Sequence, residues 1–290
     1  MNERAPIVGL VIANHRTAAD SAALAREFLE QQDVAARVVI SDNSPTEADR
    51  EDLATAFANE PRVQVVRDRG NRGYGAALNL GMSALLAEEP RAAHVFLSNA
   101  DVELGSATLI AELLAVVREA GDSVAVFAPQ VLTPDGRPQN PYRTAPLSAR
   151  DVRAERLRHV APLASHAYFV IQDLRYRFVR PQADVAATSA LDAAPTRVFA
   201  LHGSFLGVHV PTLEAAGLIP LHDEAVFLFA EELVVARRLE AAGLGALLVP
   251  HLNVLHREDA AQVQLWPKAT IRRRVNERWK SRRHVFRTYY

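Results

Sequence analysis

The chain has 290 residues, 49% of them hydrophobic and 23% charged, enough for one large domain or two small ones sharing a core. It has no cysteine, which excludes disulfides, thiolate metal sites and cysteine nucleophiles. No run of about 18 uncharged apolar residues occurs, so no membrane span is expected. The net charge of −1 hides an asymmetry: Lys268 to Tyr290 holds nine Lys/Arg against Glu277 alone, a segment of +8 on a body of −9. A basic tail on an acidic body points to an anionic partner surface, lipid or nucleic acid.

The N-terminus, MNERAPIVGLVIAN, lacks a basic leader, a long apolar stretch and a cleavage site, so no signal peptide is expected and the predicted location is cytoplasmic. IVGLVIAN (7–14) is a continuous apolar run rich in β-branched residues, the pattern of a strand buried on both faces. A helix over DSAALAREFLEQQ follows, then a strand over ARVVISDNS, a helix over EADREDLATAFAN and a third strand over RVQVVRD. RGNRGYGAALNLGMSAL (69–85) opens a helix running to about Glu88. AHVFLSNADV is the fourth strand, and SATLIAELLAVVREAG a helix that Gly121 should stop. Beyond the strand SVAVFAPQVL the pattern loosens, and about 140–197 reads as a partly helical, variable insertion. Order returns with RVFALHGSFLGVHV, with AVFLFAEELVVARRLEAAG as a strand end running into a helix, and with ALLVPHLNVLHRED.

Strand–helix alternation through the first 120 or so residues predicts a parallel sheet with helices on both faces. Ligands of such sheets bind beyond the carboxyl ends of the strands. Asn14, Asp42, Asn43, Asn71, Asn99 and Asp101 all fall at predicted strand ends or in the turns just after them.

Gly73, Gly75 and Ala77 nearly fit a dinucleotide fingerprint, but one residue is missing from the spacing. The stretch also follows the third strand, and no acidic residue comes at the right distance, so an oxidoreductase is not supported. Glycine within a helix costs about 1 kcal/mol relative to alanine. The run Asn71, Gly73, Gly75, Asn79 and Gly81 therefore predicts close approach to this backbone, a phosphate-bearing ligand being the obvious candidate. Asp101, ending an apolar strand, suits a hard divalent cation on a diphosphate, although it could merely cap the next helix. Glu231 and Glu232 open a helix, where acids are favoured by its dipole. Alternatively, one of them is a general base whose pKa is raised by Phe227, Leu228, Phe229 and Leu233.

Seven stretches in order resemble family 2 glycosyltransferases of the GT-A fold, especially their rhamnosyltransferase-like branch. They are VVISDNSPTE, NRGYGAALNLG, LSNADV, APQVLTPDGRPQ, LHGSFLGVHV, FLFAEELVVARRLEAAG and VLHRED. The resemblance implies a Rossmann-like, mostly parallel central sheet flanked by helices, with a helical basic C-terminal tail. Residues 1–125 would form the nucleotide-sugar half, 126–257 the acceptor and catalytic half, and 258–290 the tail. It implies an inverting, metal-dependent transferase that moves a sugar, rhamnose favoured, from a dTDP- or UDP-linked donor to a saccharide or lipid-linked acceptor in cell-surface polysaccharide synthesis.

Donor contacts would come from Asn14, Asp42, Asn43, Asn71, Gly73, Tyr74, Gly75, Asn79, Asn99 and Gly203. Asp101 would hold Mn2+ or Mg2+, with His256 as a further ligand. Glu232 is favoured as base over its partner Glu231, and His202 and His251 are read as structural. Ala100 replaces the family's proline, Glu232 its commoner aspartate, and Val234 stands where relatives often place another acid. Relatives also continue past Tyr289–Tyr290, so a shortened chain is expected. The tail would touch an anionic membrane at the inner face of the plasma membrane; nucleic acid is not expected, and homo-oligomerisation stays open. A nucleotidyltransferase would want a glycine-rich basic loop after the first strand, which VIANHRTAAD lacks. A catalytically silent scaffold of the same fold is the other alternative.

Overall fold

The computed structural model describes residues 5–68, 70–121, 123–160, 171, 193–257 and 271–290. Its elements run β1 (Ile7–Asn14), α1 (Ala18–Leu29), β2 (Ala35–Asp42), α2 (Glu47–Ala56), β3 (Val63–Arg67) and α3 (Tyr74–Leu86). Then come β4 (His94–Asn99), β5 (Val102–Glu103), α4 (Leu109–Ala120), β6 (Val124–Leu132) and α5 (Ala149–Val160). The chain resumes with β7 (Thr196–Val198), β8 (Phe205–His209), α6 (Val210–Ala215), α7 (Glu231–Ala241), β9 (Gly245–His256) and α8 (Ile271–Thr288).

Among the described residues nine strands form one sheet in the order β3-β2-β1-β4-β8-β6-β9-β5, with β7 added alongside β9. The first four are parallel, as alternation with helices requires. β8 then inserts antiparallel between β4 and β6, so the second half of the sheet is mixed. The continuous apolar run of β1 is explained by burial on both faces. Val8, Leu10 and Ile12 pack with Leu24, Phe28 and Leu113 of α1 and α4. Val11 joins Leu78, Met82 and Leu85 of α3 on the other side. Phe96 lies at the centre of the first layer, 5.9, 5.7 and 5.4 Å from the rings of Phe28, Phe127 and Phe205. Such aromatic pairs add about 0.5–1.5 kcal/mol each beyond their area.

Register brings the functional strand ends together. Asn14 pairs with Asp42 and Ala13 with Asn99. The antiparallel entry of β8 returns residues 202–204 to the same edge, where the Ser204 carbonyl accepts from Asn99 N–H at 2.8 Å. β5 pairs antiparallel with the end of β9, Val102 against His256, which sets Asp101 beside His256.

Three expectations change in detail. Residues 93–102 split into β4 and the short β5 around Ala100 and Asp101. α4 begins at Leu109, one turn later than the sequence suggests, and ends at Gly121 with φ +83°. No strand precedes α7; Phe229 and Ala230 take left-handed φ values of 70° and 78°, which turns the chain sharply into the helix. Within the predicted insertion, residues 161–170 and 172–192 lie outside the described residues, as do 258–270 of the tail. The rest of the tail is helical and docked. Val275, Val285 and Phe286 are buried, and the last two pack on Val226, Ala230, Leu233 and Val234 at the start of α7. Among the described residues no helix is long and apolar enough to cross a membrane.

Candidate active site

A cleft of about 300 Å3 opens where these strand ends meet. Of the predicted residues it is lined by Asn14, Asn43, Asn71, Gly73, Tyr74, Asn99, Gly203, Glu231, Glu232 and His256. At its inner end Asn14 is fully engaged. Its amide nitrogen donates to Asp42 Oδ1 at 2.8 Å and to Ser44 Oγ at 3.2 Å, while its oxygen accepts from Thr17 and Ser21. Asn14 therefore fixes the strand ends. Among the described residues, buried Asp42 Oδ2 and Asn43 Oδ1 have no partner; Asn43 lines the cleft and Asp42 does not.

The glycine run has a different purpose from the one expected. A Cβ on Gly73 would lie 2.3 Å from the Phe227 carbonyl oxygen, one on Gly75 2.8 Å from His222 Cβ, and one on Gly81 2.3 Å from Val11 Cγ1. The close neighbour is the protein itself. Asn79 continues this docking, donating to the His222 carbonyl at 2.9 Å and accepting its N–H at 3.1 Å. From the other side Arg238 donates to the carbonyls of Pro220 and Leu221, both at 2.6 Å. Gly75 and Asn79 thus sit outside the cleft, and residues 219–229 are clamped between α3 and α7. That clamp presents Phe227, Leu228 and Phe229 to the cleft as its apolar wall.

Asp101 and His256 are almost wholly buried, with His256 Nε2 3.3 Å from Asp101 Oδ1. Burial pushes the Asp101 carboxyl up, but the hydrogen bond and charge of His256, aided by Arg257, outweigh it and hold the group below its ordinary value. On the far side of the imidazole, Nδ1 donates to Gln139 Oε1 at 2.8 Å, an outer contact that fixes the ring. His256 Nε2 and Asp101 Oδ1 are close enough to share one cation. Two neighbouring ligand atoms on an octahedral ion at about 2.1 Å lie about 3 Å apart, so the pair fits a divalent metal. Among the described residues no group of three or more His, Cys, Asp or Glu gathers, so further ligands would have to come from substrate or water.

Glu231 and Glu232 begin α7 and line the same cleft. Burial and then the Glu232 charge push the Glu231 carboxyl far above its ordinary value, against the backbone N–H groups of Glu231 and Phe229; its Oε1 has no partner. Burial also raises Glu232, offset by the N–H groups of Glu232 and Gly203 and by the Arg282 charge. A carboxyl raised on folding binds its proton more tightly in the folded chain. Its stabilising contribution is therefore complete below the ordinary value of 4.5 and is lost as pH rises toward the raised folded value. Glu231→Gln should leave the melting temperature unchanged near pH 4 and raise it by several degrees at pH 8.5, at about 2–4 °C per kcal/mol. Equal melting temperatures at both pH values would show that Glu231 is not buried as a strained carboxyl.

Sequence reasoning missed His15, Gln139 and Ser204, which also line the cleft, and read His202 as structural. Burial lowers His202 to about 4, so it is neutral. Its Nδ1 accepts the Ser204 N–H at 3.2 Å, which leaves Nε2–H as a donor. The signal for His15 was its place directly after Asn14 at a strand end. His251 is exposed on β9, away from the cleft.

A sheet with this order, a carboxylate–imidazole pair where β5 meets the end of β9 and paired acids opening a helix on the same cleft define a GT-A-type glycosyltransferase fold. Residues 19–175 match glycosyl transferase family 2, and the chain belongs to that family. No curated protein sequence matches the chain. Solved structures share the fold at low identity. TarS from S. aureus superposes with a TM-score of 0.54 at 10% identity, over 86% of this chain and 36% of that one. GalNAc-T7, crystallised with UDP, GalNAc and Mn2+, gives 0.52 at 15% identity, over 86% and 43%. The mannosyltransferase PcManGT from Pyrobaculum calidifontis, in complex with GDP-Man and Mn2+, gives 0.54 at 14% identity, over 99% and 71%. The chain spans less than half the length of the first two.

Proposed function

We propose that the chain transfers a glycosyl group from a nucleoside-diphosphate sugar to an acceptor hydroxyl with inversion of configuration. One observation carries this reading: the paired glutamates of α7 line the same cleft as His256, whose ring contacts the buried Asp101 behind it. Base and ribose fill the end near Asp42, Asn43 and Asn71, and the sugar points toward Glu231 and Glu232. Asp101 and His256 would hold Mn2+ or Mg2+, which when bound would supply positive charge to the leaving diphosphate. The Nε2–H of His202, on the same cleft, donates to that diphosphate. Glu232 takes the proton from the acceptor hydroxyl, and the Phe227–Phe229 wall limits access of water to the donor.

Metal and nucleotide in the GalNAc-T7 and PcManGT structures support the donor class. The rhamnosyl preference, a dTDP- or UDP-linked donor and a role in cell-surface polysaccharide synthesis rest on motif order. So does the division into a donor half (1–125), an acceptor half (126–257) and a tail (258–290). Lys280 and Arg287, exposed on α8, support peripheral contact with an anionic membrane from the cytoplasmic side.

The test is thermal stability of wild type and Asp101→Ala against UDP, dTDP, GDP, CMP and NAD, with and without Mn2+ or Mg2+. A ligand at 100 times its dissociation constant stabilises by about 2.7 kcal/mol. One nucleoside diphosphate should raise the wild-type melting temperature only with metal, and Asp101→Ala should lose that shift. If no nucleotide shifts the wild type, the donor site is not where we place it.

A further inference from the structure

We infer that His15 accepts a hydrogen bond from the ribose 2′-hydroxyl of the donor, so that the cleft selects ribonucleoside over 2′-deoxyribonucleoside diphosphates. This rests on the nucleoside-diphosphate reading above and names the donor class more narrowly.

His15 is the first residue past β1 and lines the cleft between Asn43 and Asn71 on one side and Asn99 on the other. Its Nδ1 lies 3.0 Å from the Asn43 carbonyl oxygen and 3.3 Å from the Asn71 amide nitrogen. A carbonyl can only accept. Two lone pairs facing each other at 3.0 Å are unfavourable, so the shorter contact fixes the tautomer with hydrogen on Nδ1. Burial lowers the pKa of the ring, which is therefore neutral at working pH. Nε2 is left as a bare acceptor, and no described residue donates to it. His15 lines the cleft, so a ligand there can donate to that atom.

The order of groups in a nucleoside diphosphate identifies that hydrogen. The unpartnered acceptors Asp42 Oδ2 and Asn43 Oδ1 mark the base end. Asp101 and His256 mark the diphosphate end, with the Asn99 amide nitrogen 3.1 Å from His256 Nε2. Between the two lies the ribose. Its 2′-hydroxyl is on the carbon next to the base and its 3′-hydroxyl one carbon further toward the phosphate. His15 is tied to Asn43, the base-side residue, and so takes the 2′ position, while Asn99 takes the 3′ side. A 2′-deoxy donor would desolvate Nε2 without replacing the lost partner, a deficit of the size of one hydrogen bond, about tenfold in affinity. The cleft would then favour UDP- or GDP-linked donors over dTDP-linked ones.

The experiment is calorimetric binding of UDP against 2′-deoxy-UDP, and GDP against 2′-deoxy-GDP, with Mn2+, to the full chain and to His15→Phe. Phenylalanine keeps the ring and removes the acceptor. Wild type should bind one ribonucleotide about tenfold more tightly than its deoxy form. His15→Phe should bring that ratio near one by weakening the ribonucleotide alone. Equal wild-type affinity for a pair overturns the inference without variant data, and so does a ratio that survives in a folded His15→Phe. Should 3′-deoxy-UDP show the deficit instead, the 2′ assignment is wrong. Failure of all these ligands to bind overturns the donor reading itself.

Discussion

Glu232→Gln is expected to lower the rate of glycosyl transfer by about 10²–10⁴-fold while leaving nucleoside-diphosphate affinity unchanged. The two carboxyls open one helix and burial raises both, so ionising one disfavours ionising the other. Glu231 is the deeper, 8% exposed, with an unpartnered Oε1, and its pKa is raised further by its neighbour's charge. It keeps the proton. Glu232 has the Gly203 N–H and the positive field of Arg282 to support a carboxylate. Arg282 is held for this by its own ion pair with Glu155, at 3.0 Å between α8 and α5. Glutamine preserves shape and helix start but cannot accept the acceptor's proton. Steady-state kinetics with calorimetry of the bound diphosphate separates the two effects. If Glu231→Gln is the inactive variant and Glu232→Gln is not, the roles are exchanged. If both retain full activity, no carboxylate base acts here.

What the sequence shows and what it hides follow from the physics of each signal. β1, β2 and β4 are legible because a strand buried on both faces must be a continuous apolar run, and polar residues ending such runs mark the cleft. Asp101, His256 and the glutamate pair are legible for the same reason, each closing or opening an apolar element. The glycines were legible as close approach but not as approach to what. A missing side chain records a near neighbour without naming it, and the neighbours are Phe227, His222 and Val11. The pairing of Asp101 with His256 depends on the antiparallel β5–β9 register, a contact across 155 residues that no local pattern encodes. His15 and Gln139 escape because one histidine or glutamine in a turn resembles any surface polar residue until the fold brings a carbonyl or an imidazole to it. The turn at Phe229 and Ala230 breaks local preference outright. Left-handed backbone costs about 1–2 kcal/mol for a non-glycine residue, and tertiary contacts impose it at the point where it aims the glutamates.

Gly73→Ala should be among the most damaging single-atom changes in the chain, lowering the melting temperature by about 6–12 °C and reducing transfer beyond what lost stability explains. At φ +107° alanine is strained wherever it stands. Here its Cβ would also meet the carbonyl oxygen of Phe227 at 2.3 Å and its Cα at 2.7 Å. Those are backbone atoms and cannot rotate away, so the clash adds about 1–3 kcal/mol to about 1–2 of conformational strain. The same carbonyl accepts the Tyr74 N–H at 3.0 Å, the hydrogen bond that docks the aromatic wall on α3. Displacing Phe227 therefore moves Phe229 and Ala230, and with them the start of α7 and both glutamates. Gly70→Ala is the control: φ there is +93° but nothing lies within 4 Å of the added atom, so only strain remains. The comparison is melting temperature and kcat for both variants, with activity read well below either transition. Gly70→Ala should lose a few degrees and keep its kcat, while Gly73→Ala loses both. Equal losses in the two variants would mean that backbone strain alone is at issue and that the seat of Phe227 on Gly73 does not position the two glutamates of α7.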